Sequence, residues 1–315
     1  MHKTRKEILY LFILIVFPVT FLFSFVFISN LNTEQQIASS SNSIFTDDFS
    51  ENRELIKKEI FFDTKILASS AVVKDLNTGE IIFAKNENLV LPLASITKVL
   101  TALTAEMTST KEIYQVTAED LKQEGDHFLS IGEKFKKNDL INFMLLTSSN
   151  DAAATLSANS FGDYQSPSNN FIEKMNDIAK NIGMKNSYFL NPTGLDRSPN
   201  IAGAHGSAMD VVALFEYILK NHPHILENTK NPSMRIVSES GIIHNIRNTN
   251  QNVGMLPNTL ASKTGFTDLA GGNLAVVFDP ALNRPIVIVV LGSTEPGRFL
   301  DVKKLTEKTI EYLKI

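Results

Sequence analysis

The sequence predicts an α+β fold: one antiparallel sheet assembled from both ends of the chain, with a helical region inserted between them. Three observations predict it. Short strand patterns come first, Ser70 to Lys74 and Glu80 to Ala84, on either side of the hairpin signal Asn77-Thr78-Gly79. Helical periodicities fill the middle, at Ser95–Met107, Asn138–Leu146, Asp151–Ala158, Ser168–Ile182 and Ala208–Leu219. Strand patterns return at Leu260–Phe266, Gly272–Phe278 and Arg284–Leu291. Strands, helices, then strands again imply a sheet faced by a helical insert, with a cleft between the two.

The elements justify themselves in chain order. The basic stretch His2-Lys3-Thr4-Arg5-Lys6-Glu7 precedes an almost wholly apolar run, Ile8 to Ile28. About 20 such residues span a bilayer, and the basic flank predicts a cytoplasmic N-terminus with the rest of the chain outside. The competing reading is a cleaved signal peptide, whose apolar part is about 7–15 residues and ends in a small-x-small site. The longer run here ends Phe27-Ile28-Ser29-Asn30, which favours a retained anchor. The expected organisation is a cytoplasmic tail at 1–7, an anchor at 8–28, a linker at 29–52 containing Ser39-Ser40-Ser41-Asn42-Ser43, and a catalytic domain at 53–315. Glu51–Phe62 carries Leu55, Ile56, Ile60 and Phe61 at helical spacing. The Ile- and Val-rich Arg284–Leu291 reads as a central strand. Leu300–Leu313 closes the domain as an amphipathic helix.

Composition excludes several classes. The chain has 315 residues, a net charge of -4 and no cysteine. Nothing here favours a nucleic-acid partner, and neither a disulfide framework nor a thiolate metal site is available. The histidines show no metal-ligand spacing, and His222-Pro223-His224 reads as a helix end. No metal and no cofactor are expected. The absence of a Gly-x-Ser-x-Gly elbow argues against an α/β-hydrolase. His205, Ser207 and Asp210 invite a triad reading, but Ser207 with Asp210 three residues later reads as a helix-starting cap.

Three short segments carry chemistry: Ser95-Ile96-Thr97-Lys98, Ser148-Ser149-Asn150 and Lys263-Thr264-Gly265. In the first, a hydroxyl and an amine lie three residues apart on one helix face. A lysine of lowered pKa can take the serine proton, so Ser95 is the candidate nucleophile, at a helix N-terminus whose N–H groups favour developing charge, and Lys98 the candidate base. Ile96, Val99 and Leu100 around Lys98 predict the half-burial that favours a neutral amine. The second segment offers a hydroxyl and an amide, the third a cation, a hydroxyl and a glycine that permits close backbone approach. Asp151 reads as a helix cap.

In this order and spacing the segments resemble the serine D-alanyl-D-alanine carboxypeptidases, the low-molecular-mass penicillin-binding proteins. The likeness extends through Pro92–Lys98, Leu145–Ala153, Phe189–Asp196 and Lys263–Thr267, from about Ala68 onward, although the family usually has glycine where Ser149 stands. The resemblance implies the β-lactamase/DD-peptidase-like fold and removal of the terminal D-alanine from peptidoglycan stem peptides through an acyl-enzyme on Ser95. It implies that Ser148 relays a proton to the leaving amine and that Asn150 bonds the substrate's peptide group. Lys263 and Thr264 would hold the terminal carboxylate, Gly265 would lie beside it, and the Ser95 and Phe266 N–H groups would form an oxyanion hole. Arg298 is a further carboxylate candidate, with a solvent-facing helix start as its alternative. β-Lactams would act as covalent inhibitors. A D,D-endopeptidase cutting cross-links and a non-catalytic β-lactam- or cell-wall-binding module are the alternatives. A β-lactamase is the less favoured reading within the same fold. Many relatives carry a C-terminal β-domain and amphipathic anchor beyond the closing helix, a role the N-terminal helix is expected to fill here.

Overall fold

The computed structural model describes residues 57, 59–125, 128–160 and 167–315. The expected anchor and linker lie outside these residues. Among the described residues no helix is long and apolar enough to cross a membrane. The chain divides into two units, Met1–Phe62 with Ile315, and Asp63–Lys314. In the first, the described positions 57 and 59–62 are helical, within the expected Glu51–Phe62 helix.

The second unit runs β1 (Ser70–Asp75), β2 (Ile81–Lys85), β3 (Leu91–Pro92), α1 (Thr97–Thr108), β4 (Ile113–Gln115) and β5 (Lys134–Lys136). Then come α2 (Lys137–Thr147), α3 (Asn150–Ser160), α4 (Pro167–Asn181), β6 (Tyr188–Phe189), β7 (Ala204–Gly206), α5 (Ala208–Asn221) and α6 (His224–Glu227). It closes with β8 (Ser233–Val237), β9 (Ile243–Arg247), β10 (Thr259–Thr267), β11 (Gly271–Phe278), β12 (Ile286–Ser293) and α7 (Gly297–Tyr312).

The main sheet has five strands in the order β10-β11-β12-β1-β2, and every pairing is antiparallel. Ala71 pairs with Val290 and Val73 with Ile288, so the two ends of the chain meet in the middle of the sheet, as expected. The β1–β2 turn forms because the Asp75 carboxylate accepts from the Asn77 and Thr78 N–H groups, at 2.9 and 3.1 Å. Gly79 completes it at a positive φ of 77°. Ile286–Leu291 is wholly buried, which makes β12 the central strand its composition predicts. Helix α7 packs on β12 and β11, and α5 on β12 and β1.

Helix α1 is the hub of the helical region, packed by α3 and α4. Nine consecutive residues, Thr97 to Ala105, are buried. This exceeds the half-burial expected for Lys98, because neighbours surround the helix rather than flanking one face. The β8–β9 hairpin escaped the sequence reading. Ile236 and Ile246 point inward while Val237 and Ile243 are exposed. With apolar residues on both faces, the period of two is hidden.

Candidate active site

The segment before α1 positions Ser95. Ala94–Ile96 forms a short 3-10 turn, and α1 itself begins at Thr97. Ser95 therefore lies in a turn just before the helix, a small departure from the expected helix N-terminus. Ala94 adopts a left-handed φ of 48°, and Ser148, at the end of α2, has φ 62°. Both are non-glycine residues in a sparsely populated region, and such strain collects at functional sites. Gly194 lets this turn form: a Cβ there would stand 1.9 Å from the Ala94 carbonyl oxygen.

Lys98 is fully buried, and its Nζ has three oxygen neighbours. Ser95 Oγ lies at 2.8 Å, Asn150 Oδ1 at 2.7 Å and the Thr193 carbonyl at 2.7 Å. Burial holds the Lys98 pKa well below the ordinary lysine value, and the charge of Lys263 pushes the same way. A neutral amine has two hydrogens and one lone pair. The two carbonyl-type oxygens can only accept, so they take both hydrogens and leave the lone pair for the Ser95 hydroxyl. Thr193 was not identified in sequence as a partner of this amine. Its segment is locked by Asn191, whose Oδ1 accepts from Gly194 N at 2.7 Å and from Thr193 Oγ1 at 3.1 Å.

Asn150 opens α3. Its Nδ2 donates to the Glu124 carbonyl at 2.6 Å, so both ends of the amide are engaged within the protein. The cap of α3 is Ser149, whose Oγ accepts from Ala152 N at 3.1 Å. The capping role expected of Asp151 thus falls to Ser149, the residue that departs from the family's glycine. Asp151 sits in the first turn, where a carboxylate suits the helix dipole.

Lys263 comes from β10, an edge strand whose outer side faces the Ser95 turn. Its Nζ donates to Ser148 Oγ at 3.0 Å and to the Thr264 carbonyl at 2.8 Å. Burial, with a further push from Arg298, lowers its pKa to about 7. Thr264 Oγ1 shares a 2.6 Å hydrogen bond with Thr249 Oγ1, a residue the sequence reading did not single out. Gly265 allows β10 to approach the Ser95 turn closely. A Cβ there would lie 2.9 Å from the Leu93 carbonyl and 3.2 Å from Ser95 N. Phe266 follows, half exposed at the cleft. Arg298 is buried, with Nη1 donating to the Gly265 carbonyl at 2.8 Å. The solvent-facing alternative for Arg298 is therefore corrected: the first turn of α7 tucks the guanidinium under β10.

Every predicted site residue converges on this cleft. One side opens into a 710 Å³ cavity bordered by Asn150, Phe266, Thr267, Asp196 and Asp268. His205, Ser207 and Asp210 form no triad. Ser207 caps α5, and Asp210 returns the bond, as expected. Among the described residues no cluster could hold a metal ion.

A buried lysine against a serine, with a second lysine bonded to a second serine, is an arrangement that can support acylation. The family model described as D-alanyl-D-alanine carboxypeptidase, peptidase S11, matches residues 57–295. The chain belongs to this family. It is 30% identical over 234 residues to a D-alanyl-D-alanine endopeptidase of Pseudomonas aeruginosa, covering 72% of each chain. Among solved structures it resembles a D-alanyl-D-alanine carboxypeptidase of Mycobacterium tuberculosis, with TM-score 0.69 and 26% identity over 79% of this chain and 92% of that one. It also resembles ampicillin-bound penicillin-binding protein D2 of Listeria monocytogenes, with TM-score 0.64 and 27% identity over 78% and 98%. The fold is that of the DD-peptidases, and the chain is a serine-type D-Ala-D-Ala carboxypeptidase, a hydrolase.

Proposed function

We propose that this carboxypeptidase acylates on Ser95, with Lys98 as the base. The observation that carries the assignment is the buried Lys98 amine 2.8 Å from Ser95 Oγ. Lys98 takes the hydroxyl proton, and Ser95 Oγ attacks the carbonyl of the penultimate D-alanine. The oxyanion forms between the Ser95 and Phe266 N–H groups. Ser148 passes a proton to the departing D-alanine amine. Lys263 and Thr264 hold its carboxylate, and Arg298 supports them through Gly265. The stem peptide lies along the free edge of β10, with Asn150 turning from Glu124 to the substrate's peptide group. Water then hydrolyses the ester and restores Ser95. β-Lactams acylate the same hydroxyl, a reading supported by the ampicillin-bound relative. A second reading, cleavage of cross-links, is favoured by the relative named an endopeptidase.

The organisation we propose is a catalytic domain at 53–315 held outside the membrane by the apolar run 8–28 through the linker 29–52. Peptidoglycan lies on that side. The test of the site is Ser95→Ala: labelling by a fluorescent penicillin and D-alanine release from a pentapeptide should both fall by at least about a thousandfold, as when a nucleophile is removed. Labelling at the wild-type rate would remove Ser95 from the mechanism.

A further inference from the structure

The 710 Å³ cavity beside Asn150 and Phe266 carries charged groups to which the chemical steps give no part. Its place relative to the substrate follows from β10. In the acyl-enzyme reading above, Lys263 and Thr264 hold the leaving carboxylate, and the Phe266 N–H group receives the oxyanion. The acyl half of an extended peptide therefore continues past Phe266, toward the end of β10 at Thr267. Each strand residue advances the chain by about 3.4 Å, so the residue that precedes the two D-alanines comes level with Thr267 and Asp268. Both of these line the cavity. Pockets of about 300–1,000 Å³ accommodate small ligands, so this one has room for a long side chain.

A clasp between two distant segments builds the wall. Asp196 Oδ1 accepts from Thr267 Oγ1 at 3.0 Å, and Asp196 Oδ2 from Leu269 N at 3.2 Å. Arg197 follows Asp196 and Asp268 follows Thr267, so the clasp brings a cation and an anion to one cavity. The Arg197 backbone is fixed in a turn, its N–H donating to the Ile201 carbonyl at 2.7 Å. Both side chains are exposed, and among the described residues neither has an ion-pair partner; they do not pair with each other. Two more carboxylates border the space. That of Asp196 is occupied by the clasp, and Glu124 stands at the rim, its backbone carbonyl bound to Asn150. A guanidinium suits a carboxylate, and a carboxylate suits an ammonium. One side chain offers both: a long one whose last carbon bears an amine and a carboxylate together.

We propose that Arg197 and Asp268 are specificity residues that read the side chain preceding the two D-alanines, favouring one that ends in both an ammonium and a carboxylate over one that ends in an amine alone. The inference rests on the acyl-enzyme reading, which sets the direction of the peptide on β10. Asp268 receives the ammonium and Arg197 the carboxylate. Both contacts lie away from the bond that breaks, so proton transfer stays with Ser95, Lys98 and Ser148. Both groups are exposed, and ion pairs near a surface are modest, so each contact should change kcat/KM by about two- to fivefold.

The test uses the full-length protein and three peptides ending in D-Ala-D-Ala. They differ only at the preceding residue, whose side chain, of one length, ends in an amine with a carboxylate, in an amine alone, or in a methyl group. D-Alanine release gives kcat/KM for each, and penicillin labelling in the same samples counts the folded sites. Wild type should prefer the doubly charged peptide to the amine, and the amine to the methyl, by about two- to fivefold at each step. Arg197→Gln should bring the ratio of the first to the second peptide close to one while keeping the ratio of the second to the third. Asp268→Asn should bring the ratio of the second to the third close to one. Equal kcat/KM on all three peptides in wild type overturns the inference but leaves the acyl-enzyme reading standing. So do wild-type ratios in either variant. No D-alanine release from any peptide, together with unlabelled Ser95, overturns the reading on which the inference rests.

Discussion

Lys98 and Lys263 are the two fully buried lysines of the cleft, one on a helix and one on an edge strand, and their surroundings tune them differently. Lys98 has three oxygen neighbours, two of which can only accept, and a third, Ser95, with a proton to give. Lys263 has one hydroxyl and one carbonyl of its own strand. Both lose charge through burial. Lys98 is pushed well below the ordinary lysine value, while Lys263 is brought to about 7. The same side chain can therefore be a base at one position and, over part of the working pH range, a cation at the other. Desolvation decides which; the charge of Lys263 further disfavours charge on Lys98, and that of Arg298 does the same to Lys263.

The largest expected effect breaks the comparison at Lys98. Arginine keeps a charge and cannot lose its proton, so Lys98→Arg should be as inactive as Lys98→Ala within about tenfold. Turnover above about a tenth of wild type, roughly 1.4 kcal/mol of barrier, would show that Lys98 is not the base.

Next comes Lys263→Ala. A hydrogen bond to a charged group contributes about 1.5–3 kcal/mol, so kcat/KM on a substrate with a free terminal carboxylate should fall about 10- to 150-fold. The same substrate as its terminal amide should lose much less. Equal losses on both would give Lys263 a part in proton transfer instead of recognition.

The pH profile separates the two lysines without mutation. Lys263 is charged below about 7 and neutral above it. The kcat/KM of the free enzyme on a carboxylate substrate should therefore decline as pH rises through that value. Its acid limb should follow protonation of Lys98, since the base must be neutral to act. The terminal amide should lack the alkaline decline. An identical alkaline limb on both substrates would refute the assignment of Lys263.

Thr249→Val gives the smallest effect. It removes the hydroxyl that fixes Thr264 Oγ1. The expected cost is about 0.5–1.5 kcal/mol, seen as a roughly two- to tenfold rise in KM with kcat held, because Thr249 positions a binding group and touches no reacting atom. A loss confined to kcat would place Thr249 in the chemistry.

Local chemistry made much of this legible in the sequence. Asn77-Thr78-Gly79 announced its turn, the Ile- and Val-rich Arg284–Leu291 announced a buried strand, and the Ser95/Lys98 spacing announced a hydroxyl beside an amine. These signals depend on neighbours within a few residues, where backbone geometry alone decides which side chains meet. Tertiary structure decided the rest. It recruited the Thr193 carbonyl to Lys98, Thr249 to Thr264 and Glu124 to Asn150, and drew Arg298 under β10. It also decided how far each lysine loses its charge. None of these has a local sequence signal, because each partner comes from a segment distant in the chain, and backbone carbonyls are the same at every position. Burial, in turn, belongs to the packing of α1 and β10 among distant segments, and no short stretch of sequence contains it.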